Sequence, residues 1–175
     1  AYVANRMYQL KDGSVAVTAT MSNEEYDENF PDRGTGYNFA KEGKTGNFSN
    51  VPEARIEANA TGEDMRTGWP SIAPYGANGE ILVNHTSGLN YWIRETAGEG
   101  QWDGPHSIPN PTGLEGQALD FQLSWPRVAT SGENNDIIHV IYTFDGIDIG
   151  GVLSPALYAR IANGAVEVED VQLEL

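Results

Sequence analysis

Cysteine is absent from this chain. Neither a disulfide framework nor a thiolate zinc site can therefore be built. Basic residues are scarce: 10 Lys and Arg stand against 25 Asp and Glu, a formal net charge of −15. Such a surface repels phosphate backbones and anionic lipid headgroups, which argues against nucleic acid and membrane partners and suits a salty or extracellular setting. No apolar run approaches the roughly 20 residues that a membrane-spanning helix needs, so membrane insertion is not expected. A sustained apolar period of 3.6 residues is missing too, which predicts little helix. The stretch from Glu53 to Met65 alone suits a short helical or irregular connection. No signal-peptide pattern is visible and the chain starts at Ala1, so it reads as a mature product or an excised fragment. Its 175 residues suffice for one domain with a real core.

What is present is punctuation. The 20 glycines and 9 prolines fall between short apolar runs, as in an all-β chain. Ser14–Thr20 alternates and is rich in β-branched residues, behind a tight turn at Lys11-Asp12-Gly13. Glu80–Thr86, Leu89–Arg94, Asp136–Phe144, Leu157–Ile161 and Val166–Leu173 are further expected strands, the last with one wet face.

These strands repeat. Trp69-Pro70-Ser71-Ile72-Ala73 returns 56 residues later as Trp125-Pro126-Arg127-Val128-Ala129. Gly79–Val83 and Asn135–His139 keep that offset, and Asn90-Tyr91-Trp92 meets Leu157-Tyr158-Ala159 at 67, which fits an eleven-residue insertion near Asp145–Pro155. A period of this length marks an array of similar units. Three units follow, at about 5–48, 68–108 and 124–173, within a single domain of 1–175. The first holds strands near Met7–Leu10, Ser14–Met21 and Gly34–Ala40. Sheets of three or four short strands cannot dry both faces alone, whereas stacking them radially can. The expected fold is therefore all-β, a partial β-propeller of about three blades, with an open β-sandwich as the alternative. Proline is tolerated at the start of an inner strand, and Ile72 and Val128 would pack between blades. Three blades do not close a ring, so further blades would come from the same parent chain or from other subunits.

The units resemble blades of the sialidase-like (BNR-type) β-propellers of secreted bacterial proteins. The likeness rests on Arg66–Gly76, on Gly79–Thr86 and on Gly88–Trp102. Within the last stretch, Thr96-Ala97-Gly98-Glu99-Gly100-Gln101-Trp102 is similar to a decayed Asp-box hairpin that keeps only its late Gly and its Trp. Lys41–Gly46 is a fainter copy. The resemblance implies secretion or a bacterial cell-surface location. It also implies either a non-catalytic binding or scaffolding role, with a glycan or protein partner, or a sialidase-like glycoside hydrolase. A structural assembly module is a third reading.

Candidate chemistry is sparse. Guanidinium forks match carboxylates, and Arg66 and Arg127 flank the two Trp-Pro steps, although arginine at strand ends also serves plain ion pairs. Asp32, in Phe30-Pro31-Asp32-Arg33-Gly34-Thr35-Gly36-Tyr37, is the candidate catalytic acid, with Arg33 and Tyr37 beside it for ligand binding and glycines that would admit a ligand close to the backbone. A β-bulge with an Asp32–Arg33 surface pair is the structural alternative. Trp69, Trp92, Trp102 and Trp125 could stack sugars or simply pack; Trp92 is the candidate platform. A tyrosine–glutamate nucleophile pair cannot be picked out by spacing. No cofactor is expected, apart from room for a structural calcium at Asp136, Asp145 and Asp148. His139, in an apolar strand, reads as a hydrogen-bonded core or inter-strand residue.

Overall fold

The computed structural model describes residues 5–22, 32–41, 55–57, 65–86, 88–109, 123–144, 148–149, 151–154 and 156–169. Strands β1 (Met7–Gln9), β2 (Val15–Met21) and β3 (Gly34–Ala40) form a first antiparallel sheet in sequence order. Strands β4 (Gly68–Tyr75), β5 (Gly79–His85), β6 (Leu89–Arg94) and β7 (Asp103–Ile108) form a second, a four-stranded meander. The third sheet starts with β8 (Leu123–Ser131) and β9 (Ile137–Phe144). A small hairpin, β10 (Asp148–Ile149) with β11 (Val152–Leu153), then leaves the sheet. Strands β12 (Ala156–Ala162) and β13 (Ala165–Glu169) complete it, so its order is β8-β9-β12-β13.

The fold is all-β and antiparallel, and the two four-stranded sheets carry the repeat. Trp69 and Trp125 begin matching first strands, and the hairpin β10–β11 occupies the insertion expected near Asp145–Pro155. The strand pattern does not foresee β7, whose Gly104-Pro105 looks like a break. It is the outer edge strand, where a missing N–H costs no ladder bond. The Trp-Pro steps have a similar explanation. Pairing slips between Gly68 and Ser71, and between Ser124 and Arg127, so each Trp-Pro lies in a β-bulge. A bulge leaves residues out of the ladder, which suits proline.

The second sheet is covered on both faces. Every residue of β5 is buried. Ile81 and Val83 face the third sheet, in a core with Leu89, Ile108, Val128, Ile138, Val140, Phe144 and Leu157. Leu82 and Trp92 point the other way, with Ile56, Tyr37 and Trp102. That side is also charged. Glu80 is paired with Arg94, and both are buried. The Tyr8 hydroxyl of the first sheet donates to Glu80 Oε2 at 2.9 Å. The Arg94 guanidinium lies 4.2 Å from the Tyr37 ring centre and 4.3 Å from that of Trp102. Burial and the Glu80 charge push both tyrosine hydroxyls, Tyr8 and Tyr37, well above the ordinary phenol range.

Removing one member of a buried pair strands the other charge without water. Arg94→Ala is therefore expected to cost about 3–5 kcal/mol in urea unfolding, and Arg94→Met with Glu80→Gln to recover much of it. Equal losses in the single and double variants would show that the pair is not coupled.

Candidate functional site

The ends of five strands meet at one place: the ends of β2 and β5 and the starts of β3, β4 and β8. The bulge turns Trp69 and Trp125 into this region, both in the left-handed backbone conformation, with φ of 48° and 58°. A bulky residue rarely adopts that conformation, and the strain is of order 1–3 kcal/mol per residue. The Trp69 N–H, freed from its own ladder, donates to Thr20 Oγ1 of the first sheet at 3.0 Å. The two indoles meet edge to face, with centres 4.7 Å apart. His85 lies 5.2 Å from Trp69 and 6.3 Å from Trp125. The Arg33 guanidinium stands 4.7 Å from the Trp69 ring centre, held by a 2.8 Å bond from its Nε to the Thr67 carbonyl.

Cations gather here on an otherwise acidic chain. The pKa of Arg33 is lowered by burial and then by the charge of Arg66, and that of Arg6 by burial and then by Arg127. Burial also pushes His85 down from an ordinary 6.5 to about 4, with the Arg33 charge acting in the same direction. Its Nε2 is buried and has no hydrogen-bond partner among the described residues. Behind this group sits a buried carboxylate, Glu57. It accepts the Thr35 N–H at 3.0 Å, the Thr67 hydroxyl, and the Asn84 amide at 2.8 Å.

The candidates from sequence are placed as follows. Arg33 is a member of the cluster. Arg66 lies beside it and is exposed, and Arg127 is half-buried, its Nη1 donating to the Trp125 carbonyl at 3.1 Å. Asp32 does not pair with Arg33. Its carboxylate takes the Ser22 hydroxyl, and its carbonyl takes Arg55 Nη1 at 2.7 Å. Gly34 admits no ligand, because a Cβ there would fall 2.1 Å from Arg55 Nε. Tyr37 lies under Arg94, edge-on to Trp102. Trp92 is wholly buried, so it packs the core and offers no surface for a sugar.

Asp136 immediately precedes β9, whereas Asp148 follows it, so eight strand residues separate them. At about 3.3 Å per residue β9 spans roughly 26 Å, and the four residues from Phe144 to Asp148 can reach back over only about half of that, so the two do not share an ion. Asp148 Oδ1 instead accepts the Gly151 N–H at 2.9 Å. Asp145 lies outside the described residues, and among the described residues no three His, Asp or Glu side chains cluster as metal ligands. A tyrosine–glutamate contact does occur, at Tyr8 and Glu80, but Glu80 is fully buried. His139 bonds Ser131 Oγ at 2.7 Å and the Tyr158 hydroxyl at 2.6 Å, between strands as expected.

Sequence reasoning missed His85 as a site residue and missed the meeting of the two tryptophans. The 56-residue offset held the signal for the second, since equivalent positions of adjacent stacked sheets come together. No protein-family model matches the chain, and neither a curated protein nor a solved structure is significantly similar to it.

Indole rings stack on apolar faces and guanidinium groups hold anions. His85 supplies a pH test. The unfolded chain takes up its proton near 6.5 and the folded one only near 4. Stability is full above 6.5 and falls as pH drops through that window, by at most about 3 kcal/mol. The difference in unfolding free energy between wild type and His85→Phe should shrink by this amount between pH 7 and pH 4. A pH-independent difference would show that His85 is not held neutral.

Proposed function

We propose that the chain is a non-catalytic binding segment of a β-propeller-type protein, secreted or displayed on a bacterial cell surface, with a glycan as ligand. The observation that carries this reading is the Trp69–Trp125–His85–Arg33 cluster, an aromatic and cationic platform on an acidic chain. A pyranose presents an apolar face to such rings, and an acidic sugar adds a carboxylate that Arg33, Arg66 and Arg127 would attract. The propeller assignment draws on the stacking of similar sheets whose first strands, β4 and β8, lie side by side. Ser71 Oγ accepts the Val128 N–H at 3.1 Å, and Thr130 Oγ1 donates to the Pro74 carbonyl at 2.8 Å.

The hydrolase reading has less support. Turnover needs a pair of carboxyl groups within reach of the substrate. Among the described residues at this end, Asp32 is engaged by Ser22, and Glu57 is fully buried.

Tryptophan emission should respond saturably when the protein is titrated with sialylated oligosaccharides, and more weakly with their neutral counterparts. Arg33→Ala should weaken binding about tenfold or more, the loss of roughly 1.4 kcal/mol or above. A flat response across acidic and neutral glycans would remove the glycan as ligand. Release of free sugar on prolonged incubation would restore the enzyme reading.

A further inference from the structure

The second and third sheets are related by displacement along the stack, and their residue equivalences show which faces correspond. Ile81 and Val83 of the second sheet face the third. Their counterparts at the 56-residue offset are Ile137 and His139. Tyr91 and Ile93 pack onto the same core, and their counterparts at 67 are Tyr158 and Arg160. In the third sheet these positions are partly exposed, while Ile138, Val140, Ala159 and Ile161 are buried against the second. The outer face of the third sheet is thus the repeat equivalent of the face by which the second sheet covers it.

The equivalence extends to one side chain. Trp125 sits on a seat made by Trp69 and His85. Displaced by 56 residues, that seat becomes Trp125 and Ile141. A groove of about 430 Å³ occurs there, lined by Trp125, Arg127, Ile141, Thr143, Ser154 and Ala156. Ile141 is 53 % exposed, one of three large apolar side chains left open among the described residues. We infer that this groove is a docking seat for an aromatic side chain on the first strand of a fourth four-stranded unit, joined in tandem to the third.

The chain itself identifies the occupant. The only Trp-Pro steps in the chain are those at 69 and 125, and both are already placed, so the first sheet of a second copy has no such step to offer. Two copies at −15 each also repel one another. A tandem unit continues an interface that already exists between the second and third sheets. Arg127 replaces Ser71 as the neighbour of the incoming strand, so that one polar link is not repeated. The inference rests on the stacking half of the reading above; the seat shares Trp125 and Arg127 with the glycan platform but does not need the ligand.

The test appends to the full chain a second copy of residues 110–169. The urea midpoint of the whole should rise, and binding of an apolar dye to the parent surface should fall. Both effects should vanish when the tryptophan of the appended copy is changed to alanine, and when the parent carries Ile141→Glu. Ile141 is exposed, so that variant is expected to fold, and circular dichroism checks it. An appended unit that unfolds separately, or that leaves midpoint and dye binding unchanged, overturns the inference. So does self-association of the unextended chain that Ile141→Glu abolishes, because the occupant is then a second copy. Glycan titration of the unextended chain, in which Trp125 and Arg127 are uncovered, separates the two proposals: docking of the appended unit without glycan binding by the unextended chain sinks only the ligand, and the reverse sinks only the seat.

Discussion

Covering both faces of the second sheet is the constraint on which the other features depend. A four-stranded sheet of this size exposes two surfaces, and neither edge-to-edge pairing nor turn chemistry can dry them. The full burial of β5 shows that both are covered here. Its alternate residues must then suit two different neighbours, one apolar and one charged. The bulges, the placement of proline and the meeting of the two tryptophans follow from bringing β4 and β8 together while those faces stay closed.

The two coverings are physically unlike. The side toward the third sheet is hydrocarbon, and its gain scales with buried area at about 25 cal/mol per Å². The side toward the first sheet holds Glu80, Arg94 and Glu57 away from water. Charges there are tolerable only with partners that replace hydration. Glu80 has Arg94, the Tyr8 hydroxyl and the Gly98 N–H at 3.3 Å. Gly98 must be glycine for this, since a Cβ would lie 2.4 Å from the Phe39 ring. Arg94 gains two aromatic faces that a lysine would use less well. These partners fit a single register, so the first sheet is fixed in position relative to the second by charge, as the third is by the Ser71 and Thr130 hydrogen bonds.

That division explains what the sequence discloses. The repeat was legible because a bulge needs an unusual local pattern, and Trp-Pro supplies it twice. Strand positions were legible because Gly and Pro bracket them. The buried ions were not. Glu80 and Arg94 sit at the ends of β5 and β6, where charged residues normally mark the wet limit of a strand, and only the Tyr8, Tyr37 and Trp102 contacts make them internal. Asp32 attracted attention through its neighbours in the chain, yet the cluster is assembled from residues on separate strands, with Arg33 alone drawn from that segment. Asp136 and Asp148 looked close in sequence because β9 between them was counted in residues, when the relevant measure is its extended length.

The left-handed tryptophans connect the fold to the site. Strain of this kind persists only where surrounding contacts over-determine the backbone. At Trp69 those contacts come from three sheets: the Thr20 hydroxyl and Arg33 from the first, His85 from its own, and Trp125 from the third. Trp125 adopts the same conformation with contacts to Trp69 and His85 on one side, and its other side opens onto the groove beside Ile141. Among the described residues, the same backbone distortion is therefore supported from both directions at one repeat and from one direction at the next. Equal strain at the two tryptophans thus rests on different sets of described contacts, with Trp69 held by three sheets and Trp125 by its two neighbours Trp69 and His85.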